Sequence, residues 1–263
     1  MNPLDGAHER LKRADENIQN LNREIVILLA HAPIVVLPVD VAARKPIISD
    51  EDRKTFEKLR EFIVSTSVPP RLKVLAGEII HHLRCAFDHL AWQLSSAKFQ
   101  AKSPNQIEFP VFKERPKLCG ITKDKICRYC RKVEGIASPS ALARIEWLQP
   151  YCGQNPARHP LWLIHDLDRI DKHRELILVA CSGQLSINAN TIIPGLGQIQ
   201  PWEIRARNVL ITGPAEVEMK AQMTAQITFN ELTKRDDQPI VPTLQNLLRF
   251  TTDAVNSFAE EFR

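Results

Sequence analysis

The sequence predicts an α+β fold, a helical bundle packed with an antiparallel β-sheet, on three observations. Several stretches repeat apolar residues at i, i+3 and i+4, the stripe of a core-facing helix. Between residues 175 and 229 the period drops to two, the alternation of a strand with one wet face. There is no internal repeat and no low-complexity segment. The expectation is therefore one integrated domain over residues 1–263. Its helical core lies around 71–98 and 140–173, its β-rich part at 175–230 and a C-terminal helix at 242–262.

Taken in order, residues 5–30 make a first helix striped by Leu11, Ile18, Leu21, Ile25 and Leu28, with Pro33 ending it. Residues 34–41 (IVVLPVDV) are β-branched and extended, and Pro38 favours a sheet edge. A short helix is expected at 50–60, capped by Ser49 or Asp50, then a strand at 61–68 (EFIVSTSV) stopped by Pro69 and Pro70. The helix at 72–98 organises the rest. Leu72, Ile79, Leu83, Ala86, Leu90 and Leu94 fall on one face, while His81, Cys85, Asp88 and Trp92 fall opposite, flanked by Arg84 and His89. A polar face that includes Cys and Trp is expected to be covered, lining a cleft or interface. Residues 99–138 are irregular apart from an extended piece at 107–112. Helices return at 140–148, capped by Ser138 or Ser140, and at 161–173. Strand candidates follow at 175–181, 184–193, 203–212 and 215–229. A last helix is expected to start at Pro242, a good first-turn residue, striped by Leu244, Leu247, Leu248, Val255, Phe258 and Phe262.

Composition bounds the function. At 263 residues with 44% hydrophobic and 25% charged side chains, the chain matches an ordinary globular protein. A net charge of +4 permits a nucleic-acid partner without demanding one. The most basic stretch, residues 113–132, holds eight Lys/Arg in twenty positions. No apolar run approaches the roughly 20 residues that span a bilayer, so no membrane partner is expected. A polar, charged first stretch and six cysteines read as a cytoplasmic chain with reduced thiols. Nine glycines and no Gly-x-Gly-x-x-Gly, P-loop or Gly-x-Ser-x-Gly motif argue against nucleotide-cradling loops and a serine nucleophile elbow.

Three constellations can carry chemistry. Arg84 and His89 lie five apart on the organising helix, with His81, His82 and Asp88 beside them. A second cluster, His165, Asp166, Asp168, Asp171 and His173, lies on WLIHDLDRIDKHR. Carboxylates and imidazoles from two facing helices are the raw material of di-metal sites, but Glu-x-x-His is absent and no His pair is spaced i, i+4 on either helix. The plainer expectation is interhelical pairing and i, i+4 bridges such as Asp168 with Lys172. No cofactor and no metal is assigned. Third, Cys127 and Cys130 form half of a zinc site, with Cys119 before and Cys152 after, and no second close pair completes it.

Arg84, four intervening residues and His89, in a helical setting, resemble the Arg-x4–6-His motif of HEPN domains, with Cys85 where that family usually has a polar residue. The resemblance covers about 30 residues around the motif. It implies a helical bundle and metal-independent endoribonuclease activity on RNA. His89 would be general base on a ribose 2′-hydroxyl and Arg84 the clamp on the scissile phosphate. His81, His82, Asp88, His165, Asp168, Asp171 and His173 would support them. Five residues on a helix mean a rotation of about 140° and a rise of roughly 7.5 Å. Convergence on one phosphate is therefore expected across a homodimer. The stretch GEIIHHLRCAFDHLAWQL, with FPVF and LDRIDKHR downstream, is also similar to a widespread group of uncharacterised bacterial proteins, which implies a shared fold and no activity. Two other readings stay open. One is a non-catalytic binding or structural protein with a buried His/Asp/Arg network; the other is a metal-dependent hydrolase.

Overall fold

A computed structural model describes residues 2–40, 45–46, 48–116, 128–174, 176, 178–182, 185–188, 192–193, 197–198, 202–204, 220–223, 225–230 and 238–263. In chain order these form α1 (Asp5–Leu28), β1 (Val35–Asp40), β2 (Lys45–Pro46), α2 (Asp50–Ser65), α3 (Pro70–Leu94) and α4 (Ala97–Lys102). Then come α5 (Arg128–Val133), α6 (Pro139–Trp147), α7 (Pro160–His173), β3 (Leu178–Ser182), β4 (Leu185–Asn188), β5 (Ile192–Ile193) and β6 (Gly197–Gln198). The chain closes with β7 (Trp202–Ile204), β8 (Lys220–Met223), β9 (Ala225–Phe229) and α8 (Ile240–Asn256). The fold is α+β. It divides into two compact units, one of Met1–Arg23, Pro70–Leu176 and Val241–Arg263, the other of Glu24–Pro69 and Ile177–Ile240.

The first unit is helical and holds the polar constellations. Its core is built from the predicted stripes. Leu11, Ile18 and Leu21 on α1, and Leu72, Ile79, Leu83, Ala86 and Leu90 on α3, are buried. So are Leu161, Ile164 and Leu167 on α7, and Leu244, Leu247, Val255 and Phe258 at the C-terminal end. Each Leu, Ile, Val or Phe among them stabilises the fold by about 1.5–3 kcal/mol before entropy is counted. Where α3 meets α7 the helices come close at Gly77. A methyl group there would lie 2.5 Å from Asp171 Oδ1, so an alanine would make that carboxylate turn aside. The caps follow the sequence: Ser138 accepts from the Ala141 N–H, with Pro139 in the first turn of α6. The ring of His159, placed before Pro160, caps α7 by accepting from the Leu161 N–H.

The second unit carries the sheets. One has the order β2-β1-β8-β4-β7, and β3-β9 and β5-β6 pair separately. Every described pairing is antiparallel. Pro38 pairs opposite Lys220 of β8, while β2 meets β1 only at Val39 and Asp40. Two expectations are corrected. Residues 61–65 are the last turns of α2, not a strand. The Ser49 side chain and Asp52 form a reciprocal capping box, and the helix runs on until Thr66, ahead of the prolines. Four and a half turns started by a strong cap outweigh the β preference of Ile63 and Val64. The alternating stretch 215–229 is not one strand with one wet face. Its described part divides into β8 and β9 in different sheets, and all five residues of β9 are buried. The C-terminal helix starts at Ile240, two residues before Pro242, and ends at Asn256; a 3₁₀ turn at Ala259–Phe262 follows.

Candidate functional site

The constellations of α3 and α7 form two polar knots. The first is centred on Arg84, which is 4% exposed. Its Nη2 donates to Asp88 Oδ1 at 2.8 Å and to the Phe109 carbonyl at 2.9 Å. The Phe109 N–H donates to the same Asp88 oxygen at 2.9 Å. Among the described residues, 107–112 belong to no helix and pair with no strand, so their backbone groups need other partners. Gln149, fully buried, supplies the rest. Its Nε2 donates to the Pro110 carbonyl at 2.9 Å and its Oε1 accepts from the Phe112 N–H at 3.0 Å. The FPVF segment is thus held by Arg84 and Asp88 of α3 on one side and by Gln149, just after α6, on the other, acting where a neighbouring strand would.

Electrostatics follow from this burial. Desolvation raises the Asp88 carboxyl, outweighing the opposing pull of Arg84 and the Phe109 N–H. Lys132, paired with Glu108, is lowered first by burial and then by Arg84. His165 is drawn down to about 4, chiefly by burial and next by the same guanidinium. Its ring lies 5.7 Å from that of Trp162, over which Lys113 Nζ sits at 5.6 Å. Arg84 Nη1, His82 Nδ1 and Trp162 Nε1 are buried with no hydrogen-bond partner among the described residues. The imidazole of His82 is lowered by burial and by Arg10 and His81.

The second knot joins α3 to α7. His81 Nδ1 bonds Asp168 Oδ1 at 3.1 Å, and Lys172 Nζ bridges to Asp168 Oδ2 at 2.6 Å, the expected i, i+4 pair. Asp168 is buried and its two partners are half-exposed. One turn along α3, Cys85 Sγ lies 3.3 Å from His81 Nε2.

The remaining predicted residues scatter. His89 packs on the first turn of α1, its Nδ1 3.1 Å from where a Gly6 methyl would sit. Arg84 and His89 thus have separate surroundings within one chain. Asp171 lies against Gly77, and His173 is exposed in the last turn of α7, where a cation suits the helix dipole. Among the described residues no group of three or more His, Cys, Asp or Glu is placed to hold a metal ion. Cys119 and Cys127 lie outside the described residues. Also among the described residues, no helix is long and apolar enough to cross a membrane.

One cluster has no counterpart in the sequence reading. Glu146 accepts from Tyr151 at 2.6 Å and from Arg115 at 3.1 Å, and Tyr129 also bonds to it. Burial raises Glu146, but these donors lower it further, while both phenols are raised, first by burial and then by Glu146. Four elements of sequence meet at that carboxylate with no regular spacing. The helix that carries Glu146 holds Ser140 and Arg144 as well, so nothing in its sequence singles the carboxylate out.

Comparison with known proteins finds no matching family model, no matching curated protein and no matching solved structure.

Proposed function

We propose that the Arg84 network of α3 is architectural and that the chain is a binding or structural protein that does not cleave RNA. One observation carries this reading. The buried Arg84 spends Nη2 on Asp88 and on the Phe109 carbonyl, so its charge serves the unpaired 107–112 segment and not a ligand phosphate. A guanidinium that clamps a phosphate needs both its donors and solvent access. A second reading, the HEPN-like ribonuclease assembled from two copies, is favoured by the unpartnered Nη1 of Arg84.

The test is labelled RNA incubated with purified protein in excess chelator, with wild type beside Arg84→Ala and His89→Ala. The architectural reading expects intact RNA throughout. It also expects Arg84→Ala to lose about 1–3 kcal/mol of stability, because the Phe109 carbonyl and the part-exposed Asp88 both lose a donor. Cleavage by wild type to 2′,3′-cyclic phosphate ends, lost in both variants, would reject it in favour of the ribonuclease.

A further inference from the structure

On the outer side of the α3–α7 seam, Cys85, His81 and Asp168 stand in line. We propose that they form a nucleophile, base and orienting carboxylate that accept an activated acyl group on the Cys85 sulfur. This goes beyond the architectural reading of Arg84 and does not depend on it.

The geometry fixes the roles. Asp168 can only accept from its neighbours, with Oδ2 held by Lys172 and Oδ1 facing His81 Nδ1 at 3.1 Å. Nδ1 therefore carries the imidazole proton, and Nε2 presents its lone pair. That lone pair points at Cys85 Sγ, 3.3 Å away, so the thiol donates to it. His81 and Cys85 are four apart on α3, which puts both on one helix face, and Asp168 crosses from α7 to orient the ring. The His81 side chain is 49% exposed and that of Asp168 only 6%, so the orienting group is sheltered while the base reaches solvent. A nucleophile within hydrogen-bond reach of a base that a third group orients is the arrangement of covalent catalysis.

The class of electrophile follows from the state of the thiol. Burial and then the Asp88 carboxylate raise the Cys85 thiol, and Asp168 adds to this. A protonated thiol needs its proton removed as it attacks. It then profits from a base that hands that proton to a leaving group. Esters and thioesters meet this requirement. In the step, Sγ forms a bond to the acyl carbon and its proton passes to His81 Nε2. The C–O or C–S bond of the donor breaks, and the departing alcohol or thiol takes the proton from Nε2. Asp168 stabilises the transient imidazolium. The product is Cys85 thioester, with no oxidant or reductant consumed.

The experiment uses the full chain and p-nitrophenyl acetate as acyl donor, with acetylation of Cys85 and Cys152 followed separately by peptide mass. Cys152 is exposed, and its sulfur faces the Glu146 carbonyl and not an imidazole, so it serves as internal standard. Cys85 is expected to acylate faster than Cys152, and His81→Gln is expected to lower the Cys85 rate by about 10²-fold while leaving Cys152 unchanged. Asp168→Asn should lower it less. The pH–rate profile of Cys85 should change in His81→Gln, while that of Cys152 should not. Besides His81, the charged groups near Cys85 are Arg10 on α1, Asp88 on α3, and Asp168 and Lys172 on α7. Acylation of Cys85 at the rate of Cys152, or at an unchanged rate in His81→Gln, would overturn the proposal. RNA plays no part in the assay, so it fails or succeeds apart from the reading of Arg84.

Discussion

Arg84 shows how one residue type at one position changes meaning with its surroundings. Five residues before a histidine on a helix, it has the spacing of a phosphate clamp. Buried beside Asp88 and the Phe109 carbonyl, it has the partners of a structural tie. The same guanidinium reaches His165, whose folded value near 4 lies below the ordinary 6.5 because of burial first and Arg84 second. Between those values the unfolded chain binds more protons than the folded one, so stability falls as pH falls through this window. Above 6.5 the contribution is fully present. Asp88 acts in the opposite sense: its raised carboxyl favours the folded state at low pH, and that gain is lost as pH rises through its shifted value. Thermal melting of wild type and His165→Gln at a series of pH values separates the two. The variant should lose part of its slope between pH 6.5 and 4, and parallel curves would show that His165 is not buried neutral.

At the scale of elements, periodicity located the helices because a stripe three or four apart is repeated over many turns. It failed where the signal was short. Residues 61–68 hold a β-branched run that reads as a strand in isolation, yet residues 61–65 continue a helix already started by Ser49 and Asp52. β9 reads as alternating, but its polar Gln226 and Thr228 are buried with the rest, and Thr228 Oγ1 donates to the Gln238 carbonyl. The packing of α3 on α7 also blunts a rule of propensity. Alanine stabilises a helix interior by roughly 0.8–1.0 kcal/mol over glycine. At Gly77 its methyl would meet the Asp171 carboxylate at 2.5 Å. Gly77→Ala should therefore gain less than that amount, because the Asp171 carboxylate must turn aside to admit the methyl. A urea midpoint raised by the full propensity difference would show that Asp171 does not lie against Gly77.

At the scale of the molecule, the first unit draws on three separated stretches of chain, and the last of them closes it. Leu244, Leu247, Val255 and Phe258 are all buried, and Glu261 accepts from the Ser138 and Ser140 hydroxyls more than 120 residues away in sequence. Burial of this size rivals the ~5–15 kcal/mol by which a whole domain is stable. A chain ending at residue 240 should thus lack the near-ultraviolet circular dichroism of a packed core, and a native-like spectrum would contradict this account of the closure. The sequence by itself determined the α+β class, the helix stripes, caps narrowed to Ser49 or Asp50 and to Ser138 or Ser140, and the two helices that carry the polar residues. Those features are local: a period, a cap or a proline acts within a few residues of itself. Tertiary structure alone decided which polar groups meet. Arg84 and Phe109 are 25 residues apart, His81 and Asp168 are 87 apart, and Arg115 and Glu146 are 31 apart. No spacing rule links such partners, because chain closure and burial select them, not helical or strand geometry.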